Sequence, residues 1–228
     1  MIPKIIHQIW VGNNPMPEHC LEFVEKIKEL NPEYEHKMWG NEVFDHYKDD
    51  EYLKSFIEHE SSIPIAFTCD RIRLLLLKEF GGIYLDVDCK PIKSFNYILD
   101  KVTESHCFFA GVKKTQNHNT LIDCAIYGSI PNSRVINDCL DTYAEVTFAN
   151  GGRVFSDVII EKMGPDVALF NYEYFYNWEI TENTVLLHDI VDTRLFSWIP
   201  INQRPKWRFY IPALTRGIVH HHNQMKKP

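Results

Sequence analysis

An α/β fold, with a mostly parallel mixed sheet flanked by helices, is predicted by three observations. Runs rich in β-branched and aromatic residues alternate with stretches of helical periodicity, in a β–α–β–α–β order, over roughly the first 90 residues. That order is the mark of parallel strands joined by crossover helices. A double glycine, Gly81-Gly82, then separates the longest apolar helical stretch from the apolar run "IYLDVD". This run closes on Asp86 and Asp88, and in such sheets ligands collect beyond the carboxyl ends of the strands.

The elements follow in order. "KIIHQIWVGN" reads as a first strand with a loop after Trp10, closing at Gly12. Helical periodicity runs over residues 17–30, "NPEY" breaks it, and "EHKMW" supplies a second short strand. A polar helical region over 42–60 leads to "SSIP", whose Ser and Pro start a long helix ending near Phe80. Gly81-Gly82 stops that helix and launches the strand with the two aspartates. In the second half, "HCFFAGV" reads as a strand, 133–149 and 155–163 as helices, and 185–187 and 217–220 as further strands. "GSIPNS" at 128–133 and "GPD" at 164–166 read either as loops over the cleft or as simple turns. There is no internal repeat, and no linker divides the chain, so 1–228 is one domain.

With 24 basic against 31 acidic residues, the net charge is −7, and no basic block precedes Lys226-Lys227, which speaks against a nucleic-acid partner. The 45% hydrophobic and 24% charged residues argue against disorder. None of the six cysteines forms a CxxC pair, so a zinc ribbon is not expected and the thiols read as reduced. No N-terminal signal and no apolar stretch of about 20 residues is present, and the expectation is a cytoplasmic protein.

Four constellations carry chemistry. If residues 83–87 form a strand, Asp86 and Asp88 project from one face within roughly 7 Å of each other. Such a pair asks for a cation or a polyhydroxyl ligand, and hard carboxylate oxygens suit Mg²⁺ or Mn²⁺. On the helix before it, Asp70 and Arg73 stand three apart and share a face. They read as a structural ion pair or as a grip on hydroxyl groups. The terminal "VHHHNQMKKP" offers an imidazole that would complete a ligand set suited to Mn²⁺, and Lys227 a contact for phosphate. Trp10, at a strand end, reads as core or as a ring that stacks on a base, and Tyr84 shares the face of Asp86. His7, His19 and His188 are scattered, and no role is assigned to them.

Three blocks together, "IPKIIHQIWVG", A-x-x-C-D-x-x-R at 66–73 and "GGIYLDVD", resemble glycosyltransferase family 32. That family includes bacterial capsular and lipopolysaccharide sugar transferases and yeast-type α-mannosyltransferases, and shares its catalytic fold with clostridial glucosylating toxins. The resemblance implies a GT-A fold, a nucleotide-sugar donor, a divalent ion and retention of anomeric configuration. Carried over, Trp10 matches the residue stacking on the donor base, and Asp70 and Arg73 the pair holding the donor sugar. Tyr84 matches the tyrosine leading into the metal motif, Asp86 the aspartate near ribose and metal, and Asp88 the direct metal ligand. The C-terminus is similar to a histidine-x-asparagine and lysine-proline pattern of related families, which makes His221 the metal ligand and Lys227 a diphosphate contact. Family 32 more often shows a paired histidine before a tryptophan, which is missing here, so His220 rivals His221.

The reading these imply is a retaining hexosyltransferase with Mn²⁺ or Mg²⁺ as cofactor and a UDP-hexose favoured over a GDP-hexose. Residues 1–90 would hold donor and metal, and 91–228 the acceptor and the metal-ligand tail. The acceptor would be a glycan or a lipid-linked oligosaccharide of polysaccharide or capsule synthesis, the latter drawing the enzyme to the inner face of the membrane. Two alternatives stand beside it. One is a phosphohydrolase of the haloacid dehalogenase type, although here Cys89-Lys90-Pro91 follows a motif that lies far from the N-terminus. The other is a sugar- or nucleotide-binding module without turnover.

Overall fold

A computed structural model describes residues 1–58, 65–114, 120–145, 151–176 and 180–188. The β-branched run near the N-terminus forms strand β1 (Ile5–Ile9), followed by helix α1 (Glu18–Leu30) and β2 (Glu35–Trp39). The region expected as one polar helix divides into α2 (Glu42–His46) and α3 (Glu51–Glu58). Then come α4 (Ile65–Phe80), β3 (Gly82–Leu85), β4 (Lys90–Pro91), α5 (Asn96–Leu99), β5 (Phe108–Lys114) and β6 (Thr120–Ser129). Helices α6 (Arg134–Glu145) and α7 (Gly151–Glu161) and strands β7 (Val167–Phe170) and β8 (Leu186–Leu187) complete the described chain. The strand expected over 217–220 lies outside the described residues.

The main sheet has the order β2-β1-β3-β6-β5-β7. Five strands run the same way, and β6 alone is reversed, pairing antiparallel with β3 and β5. Both faces are covered, so neighbouring residues on a strand enter different cores. Tyr84, Phe108 and Tyr127 pack with Leu74, Leu77 and Phe155 on the side of α4, α6 and α7. Ile83, Leu85, Phe109 and Ile126 pack with Ile27 of α1 and with Phe95 on the other.

The link from α4 to β3 fixes where the aspartates emerge. Gly81 has φ +64° and donates its N–H to Leu77 O at 3.0 Å, closing the helix in a left-handed conformation. A Cβ on Gly81 would meet Pro131 Cδ at 2.6 Å, and one on Gly82 would meet Ile5 O at 2.6 Å. The corner that presses on Gly81 is the end of "GSIPNS", so this stretch sits at the amino end of β3, away from the aspartates. The loop-over-the-cleft alternative therefore falls, because β6 runs antiparallel and its last residue, Ser129, pairs with Gly82. "GPD" likewise leads into the amino end of β7, where Asp166 is held by Arg134 at 2.5 Å.

His7 of β1 is fully buried. Its Nδ1 accepts from Trp39 Nε1–H at 3.1 Å, which leaves Nε2–H to donate to Gly81 O at 2.9 Å. Burial lowers its pKa from 6.5 to about 4, so the ring is neutral at pH 7. Because the folded pKa lies below the unfolded one, protonation favours the unfolded chain, and stability falls as pH drops from about 6.5 towards 4. The loss is on the order of 3 kcal/mol. Urea titrations from pH 7 to pH 4 should show it, and His7→Gln, less stable at pH 7, should lose one proton's worth of that slope.

Candidate active site

The carboxyl ends of β1, β2, β3 and β5 and the amino end of β6 converge, and of the predicted residues Trp10, Asp70, Arg73, Tyr84, Asp86 and Asp88 lie there. The structure corrects one local detail. Strand β3 stops at Leu85, so Asp86 and Asp88 do not alternate along a strand. They occupy a turn in which Cys89 N–H donates to Asp86 O at 3.3 Å, while Asp86 N–H donates to Ala125 O of β6 at 2.9 Å. The closing bond of the turn, and not the period of a strand, sets their directions.

Arg73 is the hub of one half of the site. It lies on α4, one turn after Asp70, and only 7% of it is exposed. Its guanidinium meets Asp70 Oδ1 at 2.5 Å and Asp86 Oδ1 at 3.5 Å. It also donates to Cys124 O at 2.6 Å and to Cys69 O at 3.3 Å, and lies 4.7 Å from the centre of the Tyr84 ring. The Tyr84 hydroxyl donates to Asp86 Oδ1 at 2.6 Å. Asp70, Arg73, Tyr84 and Asp86 are thus one connected unit. Burial pushes the Asp70 carboxyl up to about 6, with Arg73 pulling it down and Asp86 and Asp123 pushing it further up. Burial likewise raises Asp86, again opposed by Arg73, and holds the Tyr84 hydroxyl protonated as a donor.

Asp88 belongs to a second group that the sequence reading missed. Strand β8 pairs antiparallel with β4, Leu187 opposite Lys90, and this register carries His188 to the DxD turn. His188 Nε2 lies 3.8 Å from Asp88 Oδ1, and its Nδ1 lies 4.0 Å from Asp123 Oδ2. Asp123 in turn meets Lys113 Nζ at 3.3 Å. The Tyr176 ring borders both His188, at 5.9 Å between centroids, and Lys113, at 5.7 Å. The signals were faint: Asp123 is a charge inside the apolar run "LIDCAIYG", and His188 follows the short apolar run at 185–187. Nothing local links either to Asp88.

A discontinuity in β6 builds this region. Between the pairs Val112↔Ile122 and Ala110↔Tyr127, β6 takes more residues than β5. This bulge frees the carbonyls of Cys124 and Ala125 for Arg73 and Asp86, and Asp123 Oδ1 accepts from Ala125 N–H at 2.9 Å within it.

Does this donor set fit a divalent cation? Asp88 Oδ1 is buried and has no hydrogen-bond donor among the described residues, which would be costly for an ionised oxygen left as it is. Asp88, Cys89 and His188 offer ligand atoms within 4.8 Å of one another. The Cys89 thiol is fully buried in the apolar core and sulfur is the softest donor of the three, so the Asp88 oxygen and the His188 nitrogen remain as the hard and borderline donors. That set suits Mg²⁺ or Mn²⁺.

Trp10 is half-buried beyond β1, its N–H fixed to Trp39 O at 2.9 Å and its indole N–H to Asn14 O at 2.9 Å. His220, His221 and Lys227 lie outside the described residues. No helix among the described residues is long and apolar enough to cross a membrane.

Removing Arg73 would leave the buried Asp70 carboxyl and the partly buried Asp86 carboxyl without their shared counter-charge. Arg73→Met should cost about 3–5 kcal/mol, seen as a lowered urea midpoint. Arg73→Lys should recover only part, because one ammonium cannot meet Asp70, Asp86 and two carbonyls together.

Comparisons with known proteins agree with this geometry. Residues 17–105 match the family model described as a glycosyltransferase sugar-binding region containing a DXD motif. A glycosyltransferase of Acanthamoeba polyphaga mimivirus is 28% identical over 218 residues, 88% of this chain and 85% of that protein. A mannosyl phosphorylinositol ceramide synthase of Saccharomyces cerevisiae is 24% identical over 233 residues, 97% of this chain and 56% of that one. Among solved structures, the PaToxG glycosyltransferase superposes with a TM-score of 0.51 at 19% identity, covering 71% of this chain and 70% of that chain. The chain has the GT-A fold, its sequence relatives and fold neighbours are glycosyltransferases, and it is an enzyme of that class.

Proposed function

We propose that the protein moves a hexose, with retention at the anomeric carbon, from a nucleoside diphosphate sugar to a hydroxyl of a glycan or glycolipid. The observation that carries this reading is the largely buried Asp70–Arg73–Tyr84 group joined to the partly buried Asp86 and set beside Asp88, whose buried oxygen lacks a hydrogen-bond donor among the described residues. Asp70 accepts from, and Arg73 donates to, hydroxyls of the donor sugar, and their rigidity supplies positioning. Asp86 contributes to ribose and cation, Asp88 ligates the cation, and Trp10 stacks on the base. A divalent cation, when bound, offsets the charge of the departing diphosphate. The transition state has oxocarbenium character. Asp70 and Asp86 are engaged with Arg73, and Asp123 with Lys113. That supports attack by the acceptor hydroxyl on the leaving-group face without a covalent enzyme intermediate.

For the donor, the family resemblance favours a UDP-hexose, and the yeast relative's name brings mannose forward as the sugar. The same name supports an inositol phosphoceramide type of acceptor, which would draw the enzyme to a membrane surface. The chain spans 56% of that relative, so its substrates are carried here as a proposal.

Calorimetric titration of UDP and of GDP, each with and without Mn²⁺, tests this reading. One nucleotide should bind, and omission of Mn²⁺ or the change Asp88→Asn should weaken it at least about tenfold, or 1.4 kcal/mol. Binding of neither nucleotide in the presence of Mn²⁺ would overturn the donor assignment. Donor turnover by the wild type, lost in Asp88→Asn, separates an enzyme from a binding module.

A further inference from the structure

We infer that His188, carried by β8, is the nitrogen ligand of the divalent cation, with Asp123 orienting its imidazole. The inference rests on the metal-dependent reading above and adds to it a residue outside both the DxD motif and the C-terminal tail. Three observations carry it.

The first is separation. Asp88 Oδ1 and His188 Nε2 are 3.8 Å apart, too far for a hydrogen bond. Two donors each about 2.1 Å from one cation lie at most about 4.2 Å apart, so this gap is one that a shared ion spans. The second is the state of the carboxylate. Asp88 Oδ1 is a buried oxygen with no hydrogen-bond donor among the described residues, and the imidazole edge faces it. The third is the far edge of the ring. Nδ1 lies 4.0 Å from Asp123 Oδ2, beyond hydrogen-bond reach but with that carboxylate beside it, and Asp123 is itself anchored by Lys113 and by the Ala125 N–H. A carboxylate behind the outer ring nitrogen is the arrangement that fixes the tautomer and turns the other nitrogen to a metal.

The framework is stiff enough to serve. His188 is anchored through its own N–H to Phe175 O at 3.1 Å, and Leu186 and Leu187 beside it are buried in the core. Its ring also packs edge-on against Tyr176. Oδ1 of Asp86 is taken up by Arg73 and Tyr84, whereas Oδ1 of Asp88 lies beside His188 Nε2. One imidazole among oxygens shifts preference towards Mn²⁺ or Co²⁺ over Mg²⁺ and Ca²⁺.

The test is electron spin-echo spectroscopy of Mn²⁺ added alone to the full chain, which detects nitrogen-14 bonded to the ion, together with Mn²⁺ affinity by calorimetry. The samples are wild type, His188→Ala, Asp123→Asn, His220→Ala and His221→Ala, each checked for an unchanged thermal midpoint. The expected result is a nitrogen signal in the wild type that His188→Ala abolishes while both tail variants keep it. Affinity should fall at least tenfold in His188→Ala, and Asp123→Asn should weaken it with the nitrogen signal retained. Should His188→Ala lower the midpoint, His188→Asn, which retains a polar side chain, takes its place. Mn²⁺ binding whose nitrogen signal survives loss of His188, or disappears with His220 or His221, would overturn this inference and leave the metal-dependent reading standing. Absence of Mn²⁺ binding in the wild type would overturn both.

Discussion

A buried positive charge organises this molecule. The Arg73 guanidinium is removed from water, a state that is costly unless nearly every donor is matched. Here two carboxylates, two main-chain carbonyls and an aromatic face meet it, and they come from α4, β3, β6 and the turn after β3. The continuous stretch from α4 through β3 to the turn after it must therefore be in place together with β6, which lies some way further along the chain. The planar fork of arginine can address several acceptors in different directions, which a lysine ammonium at the end of a flexible stem cannot. The site is consequently stiff before any ligand arrives.

The reversed strand β6 makes that convergence possible. In a wholly parallel sheet the cleft would be rimmed by carboxyl ends alone. Because β6 runs the other way, its amino-terminal half is delivered to the same rim, and its bulge turns two carbonyls and Asp123 towards the aspartate turn. Strand β8 adds His188 from the far side through a two-residue pairing with β4. Fold and site are hence the same set of hydrogen bonds seen at two scales.

How much of this was legible in the sequence follows from what each feature depends on. The first three strands, α1 and α4 announce themselves through local periodicity, capping glycines and strand-forming residues. Asp70 and Arg73 share a helix face by spacing alone, and their proximity to Asp86 and Tyr84 follows once Gly81-Gly82 is read as the link from helix to strand. Strands β6 and β7 were not singled out. In β6 the alternation is broken by Asp123 and by a bulge that only the pairing with β5 creates, and β7 is four residues long. Residues 86 and 87 read as a continuation of the strand because the apolar Val87 extends the pattern that Leu85 ends. His188, Lys113 and Asp123 are joined only by tertiary pairing, so no window of sequence contains the signal.

The main-chain contacts to Arg73 have a further consequence. Cys69 and Cys124 hold the guanidinium through their carbonyl oxygens, which every amino acid possesses, and their side chains take no part in that grip. Selection acting on the chemistry of the cleft would therefore see backbone shape at these two positions rather than residue identity. Lineages descended from a common ancestor could exchange the residues there freely, within the limits of volume, and still inherit the same anchored charge.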